Sequence, residues 1–154
     1  MLPKTHTIFG FLFSIVIFLL FPSVGWLGFF LIWASSVLID VDHYLYAVWR
    51  TGKIGIGKSY KWFFRYNDAY QKLSKKEQLA SQQIPCIFHG IESTLILAFL
   101  SFFSPIFSYI LFGFLFHQFL DFLAMSYSSF PMSGHLGSQI YNVATYDRKK
   151  EVRV

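Results

Sequence analysis

Eight residues with metal-binding side chains lie at the ends of long apolar stretches in this 154-residue chain. They are His6, Asp40, Asp42, His43, His89, Glu92, His117 and Asp121. Imidazole and carboxylate groups together suit zinc, iron or manganese, and a bound divalent ion offsets the cost of clustering acids. Since one ion uses three or four such groups, the sequence predicts one or two ions, most simply zinc, with the remaining residues as supporting partners or as a general base.

Helical spacing places most of these residues in pairs that share one helix face. The pairs are Asp40 with His43, His89 with Glu92, and His117 with Asp121, separated by three, three and four positions. Each pair offers a histidine and a carboxylate to a point between helices, as carboxylate–histidine metal sites in helical bundles require. The eight residues are therefore predicted to converge on a single site.

The elements that would position this site are four apolar segments, residues 5–21, 24–39, 84–103 and 105–124, which reach or approach the length of a membrane helix. The chain is 55% hydrophobic and 14% charged, against about 25% charged for soluble domains. Pro22 and Ser23 separate the first pair of segments, and Ser104 and Pro105 separate the second. We therefore expect an all-α polytopic membrane protein with four transmembrane helices arranged as two hairpins.

Charge predicts the orientation of these helices. All 13 lysines and arginines lie outside the four apolar segments, and such residues stay on the cytoplasmic side of the cell membrane. Both termini and the basic amphipathic segment 50–83 are then cytoplasmic, and alternation of direction places all eight candidate ligands on that side. The predicted organisation is a bundle over residues 1–125, including segment 50–83, and a cytoplasmic tail over 126–154. A cleaved signal peptide is the alternative for the first apolar segment.

The basic segment contains a phosphate-binding pattern, since Gly52, Gly57, Lys58 and Ser59 match G-x-x-x-x-G-K-S. That pattern acts between a strand and a helix of an α/β sheet, and no such strands are expected here. Its lysines and aromatic residues favour contact with an anionic lipid surface, although topology alone would also explain the charges. We predict no nucleic-acid partner.

Two isolated residues complete the inventory. His135 lies in a Gly- and Ser-rich part of the tail that would act as a lid or supply a further ligand, but an ordinary loop histidine is the simpler interpretation. Cys86 is the single cysteine, which excludes an intrachain disulfide and a cysteine-based metal cluster.

The motifs as a set resemble those of a known family. They are His6-Thr7, the Asp-x-Asp-His stretch at 40–43, Phe88-His89-Gly90-Ile91-Glu92-Ser93, and the stretch from His117 to Asp121. The chain resembles the predicted membrane-bound metal-dependent hydrolases, the group that includes LexA-regulated inner-membrane hydrolases. The resemblance implies a small helical membrane protein with a zinc site and phosphoester hydrolysis. Glu92 stands near the place of a histidine in the family's common His-Arg-Gly-x-Thr-His-Ser stretch, which leaves the number of ions open.

The predicted function is metal-assisted hydrolysis of a phospholipid or lipid-linked phosphoester at the cytoplasmic membrane face, with Glu92 or Asp42 as the general base. One alternative is a structural or regulatory membrane protein whose metal fastens the bundle. Another is a metal or proton transporter, which needs polar groups along its whole path. The outer halves of the apolar segments carry almost none, although the sequence leaves open a homo-oligomer that would assemble such a path.

Overall fold

Helix-stopping residues divide the apolar parts of the chain into two helical hairpins. The computed structural model describes residues 3–127 and 136–152. The first hairpin consists of α1 (Pro3–Leu20) and α2 (Gly25–Leu38), joined by a 3-10 turn at Pro22–Val24. Gly25 has a φ of +63°, a conformation that favours glycine. The second hairpin consists of α6 (Ile91–Ser101) and α7 (Pro105–Ser126), and the Ser104 side chain caps α7 by accepting a hydrogen bond from the Ile106 N–H.

The predicted all-α class is confirmed for the described residues, which form helices and a single isolated bridge between Ser81 and Lys150. Two helical stretches are long and apolar enough to cross a membrane, Pro22–Thr51 and Pro105–Ser126. The apolar helices α1 and α6 are shorter. Four membrane-spanning helices are therefore not confirmed.

The third apolar segment differs most from its predicted form, because its helix begins at Ile91 and not at residue 84. Pro85 has no N–H to donate within a helix. The Cys86 N–H instead donates to Gln139 Oε1, and the Phe88 N–H donates to Asp42 Oδ2. These contacts hold residues 84–90 in a non-helical conformation and leave α6 about 16 Å long, half of a hydrocarbon core of about 30 Å.

Helix α2 is central to the bundle, because it packs against both α1 and α7, while α6 packs against α7. Small residues allow these close approaches. A Cβ atom at Gly113 would lie 2.4 Å from the Ile32 carbonyl oxygen, and one at Gly10 would lie 2.0 Å from Ser36 Oγ. Close contact through glycine and serine is typical of helix packing in membranes.

The residues between the hairpins form a polar layer with an aromatic core at one end of the bundle. It contains α3 (Val41–Thr51), α4 (Ile56–Gln71) and α5 (Lys75–Ala80), of which α3 packs on α4. The Tyr70 hydroxyl donates to the Gln78 carbonyl at 2.9 Å, and burial raises the pKa of Tyr70, which keeps this donor protonated. The G-x-x-x-x-G-K-S pattern at residues 52–59 runs from the end of α3 into the first turn of α4. It follows a helix and lacks the strand that phosphate binding needs.

The described part of the tail returns to this layer. It contains α8 (Gln139–Ala144) and a 3-10 turn at Tyr146–Arg148. The Tyr146 hydroxyl lies 2.5 Å from that of Tyr46, Arg50 pairs with Glu151, and the Lys150 N–H donates to the Ala80 carbonyl. Residues 136–152 therefore pack against the polar layer.

Candidate metal centre

The two hairpins bring seven of the eight candidate ligands to one end of the bundle. His6 lies near the start of α1, Asp40 in the turn after α2, Asp42 and His43 in the first turn of α3, His89 in the turn before α6, and His117 and Asp121 in the second half of α7. The three residues His6, His89 and His117 are completely buried, and Asp121 is 2% exposed. Ion pairs and ring contacts join these seven residues into one cluster.

Two histidine nitrogens of this cluster each lie close to two carboxylate oxygens. The two Nε2 atoms of His89 and His117 lie 3.1 Å apart. Asp40 Oδ1 lies 3.4 and 3.5 Å from these nitrogens, and Asp121 Oδ2 lies 3.6 and 3.2 Å from them. Zinc bonds of 2.0–2.2 Å in a tetrahedral site place neighbouring ligand atoms about 3.3–3.6 Å apart. These five distances are close to that range, and His89, His117 and Asp121 offer ligand atoms that all lie within 4.8 Å of one another.

The other ring nitrogen of each central histidine faces an acceptor. His89 Nδ1 lies 3.1 Å from Asp42 Oδ2, and His117 Nδ1 lies 2.8 Å from the Ser36 carbonyl oxygen. Each Nδ1 therefore carries the hydrogen, which leaves the Nε2 lone pairs facing the centre of the group. Carboxylates and backbone carbonyls hold metal-binding histidines in this way. Asp42 thus supports a ligand in addition to being a candidate itself.

Charge also favours a cation at this position. Asp40, Asp42 and Asp121 bring three carboxylates into a largely buried cluster, where they contact histidines. A buried carboxylate is costly unless a positive charge lies beside it. Since both Nδ1 atoms carry a hydrogen, the two Nε2 atoms at 3.1 Å also need a further proton or a metal ion between them. A divalent ion relieves both costs.

His43 and Cys86 extend the cluster toward the polar layer. His43 Nδ1 lies 3.3 Å from Asp42 Oδ1 and 3.3 Å from Cys86 Sγ, and its ring stacks on that of His89 at 4.8 Å. One ligand atom from each of Asp42, His43, Cys86 and His89 falls within 4.8 Å of the others. Sequence reasoning missed Cys86, although its position three residues before His89 was a signal.

Glu92 is the exception among the eight residues. Its carboxylate accepts hydrogen bonds from the Ser138 hydroxyl at 2.5 Å and from the backbone N–H groups of Gln139 and Ile140. Among the described residues, no hydrogen bond or ion pair joins it to the other seven. Glu92 instead connects the start of α6 to the start of α8. His135, the further histidine considered above, lies outside the described residues.

Gln118 also supports the metal centre, although the sequence spacing of the candidate ligands did not indicate it. Its side-chain amide donates to the His89 carbonyl at 3.0 Å and to the Thr94 hydroxyl at 2.9 Å. The non-helical turn that carries His89 is thereby attached to α7, next to His117. The buried His, Asp and Cys groups could hold a metal ion, and their supporting contacts favour a built site.

Comparison of the chain with protein-family models, with curated proteins and with solved structures found no match. The chemistry of the centre is accordingly inferred from its own geometry.

Proposed function

We propose that this protein is a membrane-embedded, zinc-dependent hydrolase that acts on a phospholipid or lipid-linked phosphoester at the cytoplasmic membrane face. The group of four ligand atoms from His89, His117, Asp40 and Asp121 carries this proposal. Two histidines and two carboxylates suit zinc, iron or manganese, and a divalent ion of this kind supplies the water activation and charge stabilisation that hydrolysis needs. The motif resemblance to membrane-bound metal-dependent hydrolases supports the same assignment.

The exposed surface supports a membrane location. Large apolar side chains cover the ends of the hairpins that lie far from the centre, including Leu20, Trp26 and Phe103, and Phe102 is 86% exposed. Water-soluble proteins rarely expose contiguous apolar surface of this extent. Lipid around the apolar helices would explain the exposure, and the positions of the 13 basic residues favour the cytoplasmic side for the centre.

A cavity of about 440 Å³ supports a lipid substrate. Its walls are mainly apolar and include Leu45 and Trp49 of α3 together with Ile87 and Phe88. Asp42, which supports His89, also lines it, so the cavity reaches the candidate centre. Since α3 continues the apolar stretch Pro22–Thr51, a lipid chain could enter from the bilayer. Exposed Lys58, Lys61 and Arg65 on α4 would attract the phosphate end.

The reaction we propose is hydrolysis at phosphorus, in which a water oxygen forms a bond to phosphorus and the ester P–O bond breaks. A divalent ion, when bound, supplies Lewis-acid stabilisation of the phosphoryl oxygen and makes water more acidic. His43 Nε2, which lies 3.6 Å from Asp40 Oδ1, accepts the proton of the water and returns it to the leaving alcohol oxygen. Cys86 Sγ, at 3.3 Å, is a hydrogen-bond partner of His43 Nδ1, and the nearby carboxylate of Asp42, with Oδ1 also at 3.3 Å, favours the positive charge that His43 would gain.

This assignment of the base differs from the sequence-based prediction. Glu92 already accepts hydrogen bonds from three donors of the tail, and Asp42 Oδ2 accepts from Phe88 and His89. The His43 side chain is 16% exposed, which is more than the other histidines of the cluster. Among the histidines of the cluster, His43 is therefore the most accessible proton acceptor.

Phosphate or alcohol release from a defined phospholipid in mixed micelles tests the proposal. Purified protein should hydrolyse the lipid, lose activity in a chelator and regain it with Zn²⁺, and the His117→Ala variant should be inactive. Ser14→Ala is the matched control, because Ser14 is a buried polar residue of α1 that bonds to Gly10 within its own helix. Absence of turnover by metal-loaded wild type across phosphomonoesters, phosphodiesters and acyl esters would overturn the hydrolase assignment.

The structural role of a metal is the second candidate, because the four ligands come from three separate parts of the chain. An ion there would fasten α7 to the turns before α3 and α6. Under this alternative, chelation unfolds the protein and no lipid is hydrolysed. Under the hydrolase assignment, chelation abolishes activity while helix content is retained.

A further inference from the structure

We infer that the centre holds two divalent ions and that His6, with Asp40 and Asp121, binds the second. This inference rests on the proposed metal centre, but it concerns a different set of ligand atoms from the four that define the first position. It is independent of which bond the protein hydrolyses.

His6 provides the first observation. The side chain is completely buried on α1, and neither Nδ1 nor Nε2 has a hydrogen-bond partner in the structure. Nε2 of His6 lies 3.2 Å from Asp121 Oδ1, but the orientation of the imidazole ring does not give a hydrogen bond to that oxygen. A buried histidine without hydrogen bonds is costly unless another group uses its lone pair. A cation beside Nε2 would satisfy it and the nearby carboxylate together.

The two aspartates provide the second observation, because only one oxygen of each faces both His89 and His117. Asp121 Oδ2 lies near His89 and His117, whereas its Oδ1 lies near His6. Asp40 Oδ1 likewise faces the central histidines, and its Oδ2 is buried without a hydrogen-bond partner. Carboxylates with one oxygen on each of two positions are suited to bridge two ions, as in di-metal sites of helical bundles.

His6 lies beside the first position, because its ring stacks on that of His117 at 3.8 Å with only 15° between their planes. Positions on two neighbouring histidines suit a pair of ions, which lie about 3.5–4 Å apart in hydrolytic sites. One ligand atom from each of His6, Asp40 and His117 falls within 4.8 Å of the others. The second position then has three protein ligands, which leaves room for a substrate oxygen, as in catalytic sites.

Metal stoichiometry tests this inference without any assay of activity. Protein purified in detergent and loaded with Zn²⁺ should contain two ions per chain by elemental analysis, and His6→Ala should contain one. Ser14→Ala, which also removes a buried polar group from α1, should retain two. Wild type with one ion, or His6→Ala with two, would overturn the second site and leave the single-ion centre in place. Wild type with no ion would overturn the proposed function as well.

A second measurement covers the case in which His6→Ala does not fold. Wild type loaded with Mn²⁺ should give the electron paramagnetic resonance spectrum of two exchange-coupled ions at saturation, since bridging carboxylates couple neighbouring spins. The spectrum of isolated Mn²⁺ at every loading ratio would contradict the second site.

Discussion

The two ends of the helical hairpins are made of the same helices but have opposite chemistry. At one end, seven ionisable side chains from His6 to Asp121 lie within contact distance of one another and are largely buried. At the other end, Leu20, Trp26 and Phe102 are exposed and apolar. A transporter needs polar groups along its whole path. The contrast therefore favours chemistry at one membrane surface over passage through the protein.

The largest loss of metal affinity is expected from a substitution of Asp121, because its carboxylate contacts three histidines of the polar end. Asp121→Asn keeps the size of the side chain but removes the charge beside His6, His89 and His117. Loss of a supporting residue lowers metal affinity about 10–100-fold, and a direct ligand should exceed that. Isothermal titration calorimetry of the metal-free protein with the metal ion measures this affinity.

Asp68→Asn is the control for that substitution. Asp68 pairs with Lys72 on the surface of α4, far from the centre in sequence and with both side chains mostly exposed. Exposed ion pairs contribute about 0–1 kcal/mol, so metal affinity should stay unchanged. Equal losses in the two variants would show that the polar end has no special affinity for metal.

A charge placed on the apolar surface of the hairpins tests whether that surface lies in the membrane. Leu12 is half-exposed in the middle of α1, and arginine at the centre of a membrane helix costs about 2.5–3.5 kcal/mol on insertion. Leu12→Arg should therefore lower the fraction of protein in the membrane, measured after alkaline extraction. Leu79→Arg, on exposed α5 of the polar layer, should have no effect. Full solubility of both variants would remove the membrane assignment.

A smaller loss of metal affinity is expected when Asp42 is substituted, because Asp42 supports the centre through its contact with His89. Asp42→Asn weakens the acceptor for His89 Nδ1 and the Phe88 N–H while retaining its shape. We expect metal affinity to fall about 10–100-fold. Asp147→Asn is the control, because Asp147 is exposed and lines the same apolar cavity as Asp42. This variant should bind metal like wild type. An unchanged affinity in Asp42→Asn would mean that this contact does not support the site.

The last comparison concerns two glycines, one in α7 and one in α4. A Cβ atom at Gly113 would meet the backbone of α2 at 2.4 Å, whereas one at Gly57 would meet nothing within 4 Å. Gly113→Ala should destabilise the bundle by about 1–3 kcal/mol, and Gly57→Ala should stabilise α4 by no more than about 1 kcal/mol. Thermal unfolding in detergent measures both changes. The opposite order would contradict the close approach of α2 and α7.

Local sequence predicted the helices more accurately than the contacts between them. The first, second and fourth apolar segments form helices close to their predicted bounds, because composition and Pro-Ser turns act within a few residues. The third segment has similar composition, but its first residues are held by Asp42 and Gln139, which are distant in the chain. Composition cannot reveal such competing hydrogen bonds, and the helix was therefore predicted to begin seven residues too early.

Helical period and helix direction are local properties, so the sequence alone indicated which residue types could bind a metal and that most of them would lie at one end of two hairpins. Contacts between distant elements were needed to show that Glu92 binds the start of α8, that Cys86 lies beside His43, and that His6 is buried without hydrogen bonds. Side-chain direction depends on rotamers and on packing between distant helices. The roles of individual residues within the centre therefore follow from the fold.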